Sequence, residues 1–260
     1  MKTKLLLISL IVVVLTALGI ETSEAATYMV TNFNDSGPGS LRDAITMANS
    51  NPGADTIMFN TGPGTINLMS PLPSITDTVE IIAGSNPTVE LNGAGTQSAG
   101  SASIGFYIRA GNCKIQGFII NRFGAAGIRM DTDGSGNDNG NIIVGNYIGT
   151  NSTGNSSSCG STLCGNVNRG ILIVGTTGHL IGDGTTAGRN VISANQGNGI
   201  EITGNGSAII RGNFIGTDAS GNTDLGNARN GILIANSSNS TIGGLNSGDR
   251  NVISGNDTNG

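Results

Sequence analysis

The chain reads as all-β and, more narrowly, as a right-handed parallel β-helix closed at its N-terminal end by one short helix. Three observations point there. Short Ile/Val/Leu runs recur to the end, separated by Gly, Asn and Ser turns. Gly makes up 43 of 260 residues, more than twice the ~7% norm. The sequence also repeats itself: Gly170–Asn195, "GILIVGTTGHLIGDGTTAGRNVISAN", aligns without a gap to Gly231–Asn256, "GILIANSSNSTIGGLNSGDRNVISGN", 61 positions on. A second pair, "NIIVGNYIGTN" from Asn141 and "AIIRGNFIGTD" from Ala208, is offset by 67. The six extra residues fall in "SSSCGSTLCGN", and an insertion tolerated without loss of register marks a surface loop.

The elements follow in order. Lys2 and Lys4, an apolar run from Leu5 to Ile20 and "ETSEAA" form a signal peptide over residues 1–25. The run is too short for the ~20 residues of a spanning helix, so no transmembrane segment is expected in the mature chain. Residues 26–260 form the β-helix, with 26–100 as capping segment and first turns and 101–260 as repeat turns. In "GPGSLRDAITMANSNPG", Ser40 is placed to cap a helix whose Leu41, Ala44, Ile45 and Ala48 share a face. This helix would lie over the first turn and shield its open sheet edge. "DTIMFN", "GTINLM", "VEIIAG" and "TVELNG" are the first turns.

Strands then follow Gly105, Gly127, Gly170, Gly199 and Gly231, at steps of 22, 43, 29 and 32 residues. Each step holds two or three short strands, which suits one turn of a stacked solenoid. Stacking sets like residue on like residue. The inward set is Ile108, Ile115, Ile128, Ile143, Ile171, Ile173, Ile192, Ile200, Ile202, Ile210, Ile232, Ile234 and Ile253. Asn146, Asn195, Asn213 and Asn256 fall at turns, where Asn tolerates left-handed backbone and its amide can reach the Asn of the next turn. Roughly seven turns make a rod of ~33 Å at ~4.8 Å per turn. "RNVISGNDTNG" stops one residue before the Ile that would match Ile200, so the repeat is read as C-terminally truncated, with further domains of the same chain expected downstream.

"VTNFNDSGPGSLRDAITMANSNPGADTIMFN" resembles the N-terminal segment of secreted right-handed parallel β-helix repeat proteins of the CSLREA type. "GNFIGTDASGNTDLGN", "STIGG" and "RNVISGN" resemble the long repeat of the same bacterial surface proteins. Together they cover most of residues 27–260. The resemblance implies the fold and a secreted or bacterial cell-surface location, and it carries no common chemistry. One departure is that Gly39 stands where the family has Cys before "SLR".

The charge pattern excludes some partners. The net charge is −5 with and without the leader, and no basic cluster exists, so nucleic acid and anionic membranes are poor partners. With no Trp and 3% aromatic residues, platforms for sugar stacking are scarce.

Five features could carry chemistry. "DTDGSGND" offers Asp131, Asp133, Ser135, Asn137 and Asp138 as hard oxygen ligands around a tight Gly turn, a set suited to Ca²⁺; the alternative is a solvated acidic loop. Arg129 beside this loop completes the best enzymatic cluster, Arg129, Asp131, Asp133 and Asp138, with Lys114 the one Lys of the mature chain. Cys159 and Cys164 lie in the insertion of a secreted chain and are expected to form a disulfide, with Cys113 a buried thiol. His179, the single His, matches Ser240 in the later copy and reads as a tolerated turn residue. Asp218 and Asp224 are read as loop residues of the repeat, because Asp218 matches Asn151.

Three functions fit this pattern. The first is a non-catalytic stalk or adhesin segment, secreted or surface-borne. The second is a polysaccharide lyase, hydrolase or epimerase acting on acidic glycans. The third is a module that binds polysaccharide or cell-surface glycan without turnover.

Overall fold

The computed structural model describes residues 24–260. The expected leader, apart from its last two residues, lies outside the described residues. Apart from one hairpin, the strands form three all-parallel sheets. Sheet A contains β1 (Thr27–Val30), β2 (Asp55–Phe59), β4 (Val79–Ile82), β7 (Lys114–Gln116), β10 (Ile142–Val144), β15 (His179–Ile181), β18 (Ala208–Ile210) and β21 (Thr241–Ile242). Sheet B contains β3 (Gly64–Asn67), β5 (Val89–Asn92), β8 (Phe118–Asn121), β11 (Tyr147–Ile148), β16 (Val191–Ile192), β19 (Phe214–Ile215) and β22 (Val252–Ile253). Sheet C contains β6 (Ile104–Ile108), β9 (Ala126–Asp131), β14 (Arg169–Val174), β17 (Asn198–Thr203) and β20 (Ile232–Ala235). From β4 onward the chain visits A, B and C in that order again and again, and each strand pairs with its counterpart one turn away. The arrangement is consistent with a β-helix-like solenoid.

Side chains make the stacking specific. On sheet A, Ile57, Ile81, Ile115, Ile143, Ile181, Ile210 and Ile242 lie in register as one column. Sheet B contributes Ile66, Leu91, Ile120, Ile148, Ile192, Ile215 and Ile253. Sheet C contributes Phe106, Ile128, Ile171, Ile200 and Ile232. All are buried except at the last turn, where Ile232 and Ile253 are half-buried and Ile234 and Ile242 are exposed. The inward assignments therefore hold through Ile210. The last turn has no further turn over it among the described residues.

The five spaced glycines also stack. A Cβ on Gly105 would lie 2.4 Å from the Gly127 carbonyl oxygen, one on Gly127 2.9 Å from that of Gly170, one on Gly170 2.6 Å from that of Gly199, and one on Gly199 2.6 Å from that of Gly231. These positions need Gly because adjacent turns approach closely there.

Two corners of the solenoid are filled by asparagine ladders. In one, Asn146 donates its backbone N–H to Asn190 Oδ1, Asn190 to Asn213 and Asn213 to Asn251. In the other, Asn166, Asn195, Asn227 and Asn256 are linked in the same way. Each Nδ2 also reaches a backbone carbonyl, as Asn190 does to Ile143 O at 2.8 Å. The amides thus pair with the next turn as expected, but the left-handed backbone belongs to the preceding residue: Gly145, Ala194, Gly212 and Gly255 have φ of 63°, 61°, 72° and 75°. The Asn side chain can then satisfy buried backbone groups at the bend.

The N-terminal helix α1 (Leu41–Ser50) buries Leu41, Ala44, Ile45 and Ala48 in the same core, and Ser40 Oγ accepts from Asp43 N. Asp43 in turn accepts from Gly39 N at 3.0 Å. Gly39 has φ +75°, and a Cβ there would fall 2.3 Å from Thr31 Oγ1. No described helix is long and apolar enough to cross a membrane.

Candidate functional site

The three sheets present different outer faces. Across B, the outward column Tyr147, Val191 and Phe214 is covered by the chain itself. Gly154 and Ala219 close on Tyr147, Gly221 lies against Phe214, and the Arg189 guanidinium sits 4.2 Å from the Phe214 ring centre. These covers are the loops of the repeat. Asp218 Oδ1 accepts from Ser220 Oγ and from the backbone N–H groups of Ser220, Asn222 and Thr223. Those bonds, Ser220 foremost, hold its carboxyl down at about 2. Asn151 plays the same part in the earlier copy, accepting from Asn155 N and Ser156 N. The expected loop role of Asp218 stands, and Asp224 pairs with Thr217 in an antiparallel bridge that closes the same loop. In the earlier copy the insertion forms a hairpin, β12 (Ser158–Cys159) and β13 (Thr162–Leu163), tied by the Cys159–Cys164 disulfide with a Cα–Cα distance of 5.2 Å. Cys113 is free and buried, its thiol pushed up to about 12 by burial.

Sheet C carries the charged cluster. In register, Tyr107, Arg129, Leu172, Glu201 and Leu233 point outward. Arg129 forms an ion pair with Asp131, and Tyr107 Oη donates to the same Asp131 oxygen at 3.2 Å. Burial first, then the Asp131 carboxylate, raises the Tyr107 hydroxyl above its ordinary value. Arg109 and Arg129 both approach the Tyr107 ring, at 5.8 and 5.2 Å. Further along, Glu201 accepts from Arg169 Nε at 2.8 Å and from Asn198 Nδ2 at 2.7 Å. Burial pushes Glu201 upward, and these bonds outweigh it, leaving its carboxyl below the usual range.

The acidic loop after β9 is closed by its own bonds. Asp138 accepts from Thr132 Oγ1 at 2.6 Å and Asp133 from Ser135 N at 2.7 Å. Asn137 donates its backbone N–H to Ser135 Oγ. Hydrogen bonds from Ser135 hold Asp133 below its ordinary value. Among the described residues no group of three or more His, Cys, Asp or Glu gathers as a metal cage. Arg129 and Asp131 are thus brought together as an ion pair, and Ser135 bridges Asp133 and Asp138, its backbone N–H donating to the first and its hydroxyl to the second. Lys114 lies on the outer face of sheet A, away from this loop's bonds.

One edge of this loop lines a cleft of about 730 Å³ at the corner between sheets C and A, whose walls include Thr76, Arg109, Asn112, Asp133, Asn137 and Thr177. Arg109 Nε is buried there without a hydrogen-bond partner. Arg109 carries no signal in the sequence, because nothing in its local spacing separates it from a solvated strand end.

His179 is not a turn residue. It begins β15 and is fully buried. Its Nδ1 accepts from Asn141 N at 3.2 Å, so Nε2 carries the proton and faces Thr176 Oγ1 at 2.8 Å. Ser240 does the same work one repeat later, its Oγ accepting from Ala208 N.

No protein-family model matches this chain, and no curated protein sequence matches it.

Proposed function

We propose that this chain is a right-handed parallel β-helix segment of a secreted or bacterial cell-surface protein, of the CSLREA-type repeat class, and that it serves as a non-catalytic stalk or adhesin rod. The hand follows from the near-universal right-handedness of parallel crossovers. The observation that carries the reading is the use made of the polar repeat residues. Asn146, Asn190, Asn213 and Asn251, with Asn166, Asn195, Asn227 and Asn256, are bonded turn to turn along the stack. Such residues build length and stiffness. Two measurements test this. Antibody labelling of intact cells should find the chain outside, and the purified protein should leave uronate polymers without new absorbance or reducing ends. Turnover that disappears in Arg129→Ala would replace the stalk by the lyase, hydrolase or epimerase reading, with Arg129, Asp131, Asp133 and Asp138 at its centre.

A second reading is glycan contact without chemistry, supported by the cleft at Arg109. Its walls offer amides and hydroxyls, and Arg109 Nε lacks an acceptor. A glycan array read with the wild type and Arg109→Ala tests it; signal unchanged by the substitution would place any glycan elsewhere.

A further inference from the structure

The outer face of sheet A differs from the other two. Its described residues form no ion pair and keep exposed apolar side chains, whereas B is covered by repeat loops and C is occupied by ion pairs; Val144, at the corner with B where Ala187 closes on Gly145, is the buried exception at 4%. Its first outward column, in register along the rod, is Thr27, Thr56, Glu80, Lys114, Ile142, Leu180, Ile209 and Thr241. Beside it runs Met29, Met58, Ile82, Gln116 and Val144. Met29, Met58 and Ile209 are 43%, 42% and 43% exposed. Ile82, Ile142 and Leu180 are half-buried. An apolar sheet face of this extent on a soluble rod marks an interaction surface.

The charges say what fits it. Glu80 and Lys114 are neighbours on adjacent strands at the boundary between the Thr-rich and the Ile/Leu halves of the column. Neither is in an ion pair among the described residues, and Lys114 is the one Lys there. A two-fold axis lying along the strands, between β4 and β7, sets Glu80 of one copy opposite Lys114 of the other, and the reverse. The same operation brings β2 over β10 and β1 over β15. Met58 and Met29 of one copy then lie beside Ile142 and Leu180 of the other. An isologous contact must be self-complementary, and this face is so in both charge and apolarity.

We infer that two copies of this chain pack laterally, sheet A against sheet A with their long axes antiparallel, through Met29, Met58, Glu80, Lys114, Ile142 and Leu180. Two sheets in such contact lie ~10 Å apart. The charge pair sets register, and the apolar side chains supply the attraction.

Sedimentation velocity of the purified chain over a range of concentrations tests this. The wild type should form a dimer. Glu80→Lys and Lys114→Glu each set like charges opposite one another across the axis, and each should weaken dimerisation at least tenfold. The double variant Glu80→Lys/Lys114→Glu should restore it. An equimolar mixture of the two single variants should also dimerise, because the heterodimer regains opposite charges. Circular dichroism of each variant should keep the wild-type strand signal, which separates loss of contact from loss of fold. A wild type that stays monomeric at high concentration overturns the inference. So does a dimer indifferent to both single reversals, since its contact would then lie on another face or at an end of the rod.

Discussion

At His179 a group with an ordinary pKa of 6.5 is pushed down to about 4 by burial. The unfolded chain therefore takes up a proton between these values and the native chain does not. His179 costs no stability above pH 6.5, costs progressively more as pH falls toward 4, and the loss levels off below that. The full difference is about 3 kcal/mol at ~1.4 kcal/mol per pKa unit. Thermal melts of the wild type should show this decline, and His179→Ser should flatten it, because Ser240 already shows, with Ala208 N, that a hydroxyl can accept the corresponding backbone N–H. An unchanged decline in the variant would assign it to carboxylates instead. Asn190 tests the ladder at the same scale. Its Oδ1 accepts from Asn146 N at 3.0 Å, and its Nδ2 donates to Ile143 O at 2.8 Å. Asn190→Ala leaves the buried Asn146 N–H without its acceptor, whereas Ile143 O keeps Gly182 N at 2.9 Å, so the variant should lose roughly 1–3 kcal/mol. Asn259→Ala, at an exposed position, should change stability by at most about 0.5 kcal/mol. Equal effects at the two positions would remove the ladder from the account.

Among the elements, the glycine stack makes the sharpest demand. Gly170→Ala would put a Cβ 2.6 Å from the Gly199 carbonyl oxygen and 2.9 Å from Asn195 Nδ2, both held by the neighbouring turn. Forced repacking of that kind costs about 1–3 kcal/mol. Gly62→Ala meets no atom within 4 Å and should be neutral or gain up to ~1 kcal/mol by restricting the unfolded chain. Urea melts of the two variants decide it, and equal midpoints would refute the steric reading. These glycines were legible in sequence because each opens an apolar run and the runs recur. So were Ser40 and the face Leu41, Ala44, Ile45, Ala48, since capping and helical spacing are local signals. Half of each asparagine ladder was not legible. Asn190 and Asn251 follow Arg and stand 44 and 38 residues after Asn146 and Asn213, so no fixed offset joins them; Asn166 and Asn227 each stand 29 residues before their partners but lie in loops of unequal length that mask the match. His179 was misplaced for a related reason: its exchange for Ser240 looks like tolerance, but each accepts one backbone N–H. The Arg109 cleft was hidden because its walls come from four successive turns.

The whole molecule is quasi-one-dimensional, and each turn touches only its neighbours. Protection should then follow position in the stack. Turns between Gly105 and Gly216 are covered on both sides, and their column residues are buried. From Gly231 onward the same columns open to solvent: Ile234 is 38% and Ile242 49% exposed. Asn251 and Asn256 still bond backward, to Ile210 O and Ile215 O, but no described Asn lies beyond them to accept their own N–H groups. Local opening there breaks one interface, whereas opening in the middle breaks two. Native-state hydrogen exchange should therefore show amides of β14, β16 and β17 exchanging only through large unfolding events. In a polypeptide that stops at Gly260, those of β20, β21 and β22 should exchange orders of magnitude faster. The helix α1 buries its face on the first turns, so β1 and β2 should resemble the middle rather than the far end. Leu41→Ala should bring their protection down toward that of β21 while leaving β16 unchanged. Uniform protection from β2 to β22, or loss at β16 in the Leu41→Ala variant, would mean that the rod unfolds as one cooperative unit rather than turn by turn.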